Sequence, residues 1–266
     1  MGGHFAVPLF IPNFVQYEGE LTLMLSTPDI KFDTKQSHKI MKLRNVILGS
    51  LLGVFALGAT ANAQIGFIVR GGYQAANITG LNPKGELLHG GRAGVAADIT
   101  VYDGGMSRIS IQPGVDFAMK GYQYKKETKV GETTLGANAS QTLYYVDIPV
   151  LANFSFDLGN DLGVFVNAGP YLGVGVSGTS KGGLQIGNWK PESKSEIKPF
   201  DKDNGVYNRL DWGAQVGAGV EYNRFQVGVG TQFGIGDLRS QKVKDAMKDG
   251  KALRNSDFFV TVGYRF

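Results

Sequence analysis

The chain has 266 residues, of which 39 are glycine and none cysteine, with a formal net charge of +4 and a pI near 9.1. The lack of cysteine excludes a disulfide scaffold and thiolate chemistry. The lysines and arginines are spread along the chain rather than gathered into a basic helix or stripe, which argues against a nucleic-acid partner.

Residues 1–40 carry no coherent period and are expected to be an upstream extension foreign to the mature protein. Translation is expected to start at Met41, where Lys42 and Arg44 precede an apolar run from Val46 to Leu57 and the small-residue pattern Ala61-Asn62-Ala63. These are the three parts of a signal peptide, expected over 41–63 with cleavage before Gln64. The alternative, an anchoring helix, suits a short and Gly-interrupted run poorly.

From Gln64 the sequence divides into eight segments with period-two spacing, the signature of strands whose two faces meet different surroundings. In the first, Ile65, Phe67, Val69 and Tyr73 oppose Gly66, Arg70, Gly72 and Gln74, with Ile68 breaking the pattern. The second sets Ala93, Val95, Ala97, Ile99 and Val101 against Arg92, Gly94, Asp98 and Thr100. The third sets Ile109, Ile111, Val115, Phe117 and Met119 against Arg108, Gln112, Gly114, Asp116 and Lys120. In the fourth, Tyr144, Val146, Ile148 and Val150 alternate with Tyr145, Asp147, Pro149 and Leu151. The fifth runs through Leu162, Val164 and Val166, the sixth through Leu210, Trp212 and Ala214 with Asp211 and Glu221 on the polar side, and the seventh through Phe225, Val227 and Val229. In the eighth, Phe258, Val260, Val262, Tyr264 and Phe266 oppose Asp257, Phe259, Thr261, Gly263 and Arg265.

A soluble β-sandwich alternates too, so the connections decide. Asp103 to Ser107, Asp157 to Asp161 and Asn223-Arg224 are tight turns, whereas Ala76 to Gly90, Lys125 to Ser140, Gly178 to Asn208 and Asp237 to Ser256 are long and polar. Strands in sequence order put the short turns at one rim and the long loops at the other. The expected fold is therefore all-β: an eight-stranded antiparallel up-and-down transmembrane β-barrel over 64–266, in a bacterial outer membrane, with short periplasmic turns, long extracellular loops and both termini periplasmic. Closure removes the open edge that lipid cannot hydrogen-bond. Aromatics near the ends of the outward rows, such as Tyr144, Phe156, Trp212, Tyr222 and Phe225, suit the headgroup zone.

Several motifs carry a resemblance. Gly66-Phe67-Ile68-Val69-Arg70-Gly71-Gly72-Tyr73, Tyr144-Tyr145-Val146-Asp147-Ile148-Pro149, Asn167-Ala168-Gly169-Pro170-Tyr171 and Asp211-Trp212-Gly213 together resemble the PorT-like outer-membrane β-barrel family. The resemblance implies eight strands and outer-membrane placement. Some members resemble a component of type IX secretion, and a place in such an export assembly is an alternative function. The terminal Phe266 is similar to the aromatic read as an assembly signal by barrel-assembly machinery.

An eight-stranded barrel has room inside only for its own side chains. Arg70, Arg92, Asp98, Arg108, Asp116, Lys120, Asp147, Asp211, Glu221 and Arg265 are expected to form a compensated polar plug in the lumen, since buried charges must be paired. A narrow ion path is the other reading. No catalytic residue, cofactor or metal is expected, because the region after Gln64 has a single histidine, His89, beside Gly90 in a loop. A lipid-modifying enzyme is a further alternative that this count disfavours. The last long loop, with Arg239, Lys242, Lys244, Lys248, Lys251 and Arg254, is a candidate contact for lipopolysaccharide phosphates. Lys125, Lys126 and Lys129 add to the basic character of another loop, and Val243, Ala246 and Met247 predict one short helical turn. Outer-membrane lipid and an envelope protein are the expected partners.

Overall fold

The computed structural model describes residues 64–81, 86–130, 133–186, 192–201, 205–246 and 250–266. The expected extension 1–40 and signal peptide 41–63 lie outside them, as do Met247 and Lys248. Nine strands and a helix follow in order: β1 (Ile65–Thr79), β2 (Leu88–Asp103), β3 (Ser107–Val130), β4 (Thr133–Gly159), β5 (Leu162–Ile186), β6 (Glu192–Ile197), β7 (Leu210–Tyr222), β8 (Phe225–Gly234), α1 (Gln241–Ala246) and β9 (Arg254–Arg265). Every pairing is antiparallel, and all the strands except β6 close into a ring of eight in which β9 returns to β1. At the seam Ile68 pairs with Arg265 and Thr79 with Arg254, and Phe266 N donates to Phe67 O at 2.8 Å.

Alternation sets which side chains meet which medium. On β9 the outward Phe258 and Val262 are 49% and 57% exposed, while Asp257 and Phe259, on either side of Phe258, are 1% and 6% exposed. A cylinder whose apolar rows face out and whose charges are buried is inside-out relative to a water-soluble protein, and hydrocarbon is the surrounding that suits it. Among the described residues no helix is long and apolar enough to cross a membrane, so the crossing falls to strands. The outward aromatics form a contact chain at the short-turn rim, where Tyr264 meets Phe225 and Phe266 edge to face at 5.0 and 4.9 Å between ring centres.

Two of the short turns have two central residues each in the left-handed region: Asn160 and Asp161 (φ 55° and 61°), and Asn223 and Arg224 (φ 46° and 71°). That is the mirror-image hairpin turn whose twist matches the flanking strands. The third is tightened by Gly105 at φ 81°, whose N–H donates to Asp103 Oδ1 at 3.0 Å.

Two of the long connections are not loops over their full length. In the stretch Lys125 to Ser140, β3 and β4 stay paired from Tyr124–Ala139 up to Val130–Thr133, and Gly178 to Asn208 continues β5 to Ile186 and returns as β6. The sequence hides these extensions for a physical reason. Beyond the membrane both faces of a strand meet water, so the apolar–polar alternation that marks a spanning strand fades. With 24, 27 and 25 residues, β3, β4 and β5 far exceed the roughly 9–11 needed to cross. One side of the wall therefore stands as a sheet beyond the rest. Helix α1 supplies the predicted helical turn.

Candidate functional site

The lumen is the site that the fold builds, and it is layered. At the short-turn rim, Arg265 Nε donates to Glu221 Oε1 at 3.1 Å and Gln226 Nε2 to Glu221 Oε2 at 2.7 Å. Beside them Gln112 Nε2 donates to Asp98 Oδ1 at 3.0 Å, while Arg108 and Arg265 reach Asp98 only at 3.6 and 4.0 Å. Asp98 and Gln112 are buried, but their neighbours retain some contact with solvent: Arg108 is 20%, Arg265 25% and Glu221 16% exposed.

The middle layer is tighter. Arg70 grips Asp116 with two bonds, Nε to Oδ1 at 2.9 Å and Nη2 to Oδ2 at 2.8 Å, and Arg92 Nη2 donates to the same Oδ2 at 2.8 Å. Arg92 also donates to Gln215 Oε1 at 3.2 Å, which accepts from Gln232 at 2.8 Å. The Arg92 guanidinium lies 4.6 Å from the centre of the Phe259 ring. Glycines make that ring's position possible. A Cβ at Gly230 would meet Phe259 at 2.5 Å, and one at Gly219 would meet Phe165 at 2.5 Å, so β7 and β8 form a bare wall against which both rings lie. Ile68, which breaks the alternation of β1, points inward here and with both phenylalanines lines a cavity of about 40 Å³.

The third layer centres on Lys120, which is fully buried. Its ammonium lies 3.0 Å from Asp147 Oδ2, 3.1 Å from Asp211 Oδ2 and 3.7 Å from Asp257 Oδ2, and 4.6 and 5.1 Å from the ring centres of Tyr171 and Tyr145. Asp211 Oδ2 also accepts from Tyr171 Oη at 3.2 Å and Asn255 Nδ2 at 2.8 Å. Above this layer sits an apolar cap of Ile78, Leu143, Tyr145, Phe200, Tyr207 and Leu238. Phe200 packs edge to face on Tyr145 at 5.4 Å and rests over Gly175, where a Cβ would strike its ring at 2.3 Å. Tyr207 Oη donates to Gln141 at 2.8 Å, and burial raises its hydroxyl pKa well above the usual range.

All ten lumen residues singled out in the sequence thus fall inside the barrel, at three levels, the inner two of which are joined where Arg92 Nη2 lies 3.8 Å from Asp147 Oδ2. Sequence reasoning missed Asp257, Asn255, Tyr171 and Gln232 as members, although the parity of β8 and β9 carried the signal for Gln232 and Asp257. It also missed the cap. A Phe and a Tyr in an otherwise polar connection were the available clue to Phe200 and Tyr207.

The basic loop is partly spent on itself. Arg239 clasps Asp237 through Nε and Nη2 at 3.0 and 2.8 Å and donates from Nη1 to Gly250 O at 2.7 Å, and Lys244 lies 3.8 Å from Asp237. Burial acts to raise the Asp237 pKa, but hydrogen bonds from Arg239 and the Leu253 N–H outweigh it and hold the carboxyl below its usual range. Lys242, Lys251 and Arg254 are exposed, while Lys248 and the side chains of Lys126 and Lys129 lie outside what the structure describes. His89 faces outward near the long-loop rim, bonded through Nδ1 to the Tyr73 hydroxyl and stacked on that ring at 5.9 Å. Among the described residues no group of three or more acidic or imidazole side chains is arranged to hold a metal.

An eight-stranded ring with an apolar exterior and an ion-paired, side-chain-filled interior is a small transmembrane β-barrel. The chain belongs to the outer membrane protein beta-barrel domain family, whose model matches residues 50–240, and with it to the bacterial outer membrane. No curated protein matches it. Similar solved structures include Neisserial surface protein A (15% identity, 75% of this chain and 97% of that one, TM-score 0.37). Ail, the attachment invasion locus protein of Yersinia pestis, is 12% identical over 76% of this chain and 98% of its own, with a TM-score of 0.31. The outer membrane enzyme PagL is 10% identical over 74% and 98%, with a TM-score of 0.33.

Proposed function

We propose that this barrel is neither an enzyme nor a pore, but a rigid membrane cylinder that holds an interaction surface at the cell exterior. The observation that carries this reading is the sealed lumen: Lys120, Asp147 and Asp211 are fully buried beneath the Phe200–Tyr207 cap, which among the described residues leaves no continuous path for an ion. A planar-bilayer recording of the reconstituted protein is expected to show no conductance above leak, and a steady current would overturn the reading.

With the short turns and both termini in the periplasm, the tall β3–β5 sheet and the loop around α1 face outward. Lys242, Lys251 and Arg254 then suit contact with lipopolysaccharide phosphates, while Arg239 serves the loop's own structure. An envelope protein is the other partner such a sheet suits, and crosslinking in intact outer membranes separates the two. The 66% exposure of Phe266, at the short-turn end of the seam, supports its role as the signal that assembly machinery reads. His89 pairs with the Tyr73 hydroxyl rather than with a serine and a carboxylate, and replacing it with Ala is expected to change no hydrolase or acyltransferase activity.

The PorT-like resemblance supports a second reading, an export-assembly component. Three of its motif residues, Arg70, Asp147 and Asp211, are lumen residues of the ion-pair layers, so lumen packing alone accounts for them. Co-purification with an export complex would favour that role.

A further inference from the structure

The charges of the two inner layers do not balance. Among the described residues three cations, Arg70, Arg92 and Lys120, stand among four carboxylates, Asp116, Asp147, Asp211 and Asp257. Apart from Arg70, at 13%, none of these side chains is more than 1% exposed. Asp116 is held by both guanidiniums. Asp211 accepts from Lys120, Tyr171 and Asn255. Asp147 has Lys120 at 3.0 Å and Arg92 at 3.8 Å. Among the described residues the carboxyl oxygens of Asp147 and Asp257 receive no hydrogen bond, but Asp147 has two cations within 4.0 Å, whereas Asp257 has only Lys120, at 3.7 Å, and is served worst.

The titratable and charged groups that surround Asp257 are Arg92 from β2, Lys120 from β3, Asp147 from β4, Tyr171 from β5 and Asp211 from β7, while β8 presents the neutral Gln232 beside it. Two of those neighbours are carboxylates. The ammonium on the far side is already shared with both of them. A fourth ionised carboxyl in such a dry layer would be left without compensation, and a buried acid in that position takes up a proton rather than remain charged.

We propose that the Lys120 layer holds one bound proton, carried by the Asp257 carboxyl, so that Asp257 is a neutral carboxylic acid in the folded barrel and the two layers carry no net charge. The asparagine side chain has nearly the shape of that acid and can donate as it does. Asp257→Asn is therefore expected to refold in detergent to the heat-modifiable form with unchanged yield. Asp116→Asn, which strips the anion from two arginines, is expected to lower that yield about tenfold or more.

Infrared spectra of the folded wild-type protein at neutral pH supply a readout that packing alone would not move. The carbonyl stretch of a protonated carboxylic acid, shifted in D2O, is expected in the wild type and in any folded Asp116→Asn, and is expected to vanish in Asp257→Asn. Absence of that band in the wild type, its survival in Asp257→Asn, or failure of Asp257→Asn to fold would each overturn the proposal. So would a folded yield that depends on sodium or potassium with no acid band, which would assign the extra positive charge to a metal ion.

Discussion

The two ends of the lumen use the same kinds of residue and place them in different surroundings. At the short-turn rim, Arg265 and Glu221 pair within reach of water, and Arg108 and Arg265 approach Asp98 only at 3.6 and 4.0 Å. At the other end Lys120 is fully enclosed with three aspartates under an apolar lid. An ion pair that water still reaches contributes little, because solvent screens it and readily replaces either partner. An enclosed pair is costly to break, because the group left behind has nothing to replace the one removed. Where the charges sit, rather than how many there are, decides which end is the more sensitive to the loss of one partner.

Four changes would sharpen or break this contrast. The largest effect is expected from Lys120→Met, which leaves Asp147, Asp211 and Asp257 without their shared cation. A loss of about 3–5 kcal/mol is expected, read as a fall in heat-modifiable barrel on refolding in detergent. Near-normal yield would show that the inner layer is not dry.

Next is Phe200→Ala, which empties the centre of the cap. A cost of about 3 kcal/mol should fall on the cap and its connections rather than on the ring. Protease cleavage between Ile197 and Leu210 is expected to rise while the barrel still shifts on heating, and loss of the heat shift would mean that the cap is part of the cooperative fold.

Glu221→Gln at the wetter rim is expected to cost within about 1 kcal/mol in a denaturant titration. A loss as large as that of Lys120→Met would erase the distinction between the two ends.

The smallest effect concerns the loop around Asp237. Its folded pKa lies below the 3.8 of an ordinary aspartate, so its contribution is present above that pH and is lost as pH falls through the folded value. An acid-active protease is expected to cut this loop faster at the lowest pH, and Asp237→Asn is expected to be cut equally fast at all pH values. A wild-type loop indifferent to acid would remove Asp237 from its clasp.

The spanning half of the structure is legible in the sequence because each strand there separates hydrocarbon from a polar lumen. Phe258, Val260 and Val262 against Asp257 and Phe259 need no coordinates to assign. Ile68 looked like an error in that pattern only because the lumen was taken as uniformly polar, whereas Phe165 and Phe259 line the same cavity as Ile68, among polar side chains. The partition of the lumen charges into layers was not legible, since alternation fixes a face but not a height or a partner. Lys120 meets Asp211 and Asp257 across the barrel from strands far apart in the chain. The hairpin above the membrane and the tucked Phe200 were hidden for a related reason, as water on both faces imposes no rhythm and a single aromatic in a polar segment has no period.

The seam sets the order of events in assembly. Thr79 Oγ1 bonds Arg254 O across 175 residues, so the first spanning strand to leave the export channel cannot meet its last neighbour until nearly the entire chain has followed it. Until then β1 offers a row of unmatched amides, and contacts so distant in sequence form slowly. A newborn chain must therefore be kept apart from its siblings throughout its transit, and one missing only its final strand could neither shut its cylinder nor shelter its inner charges.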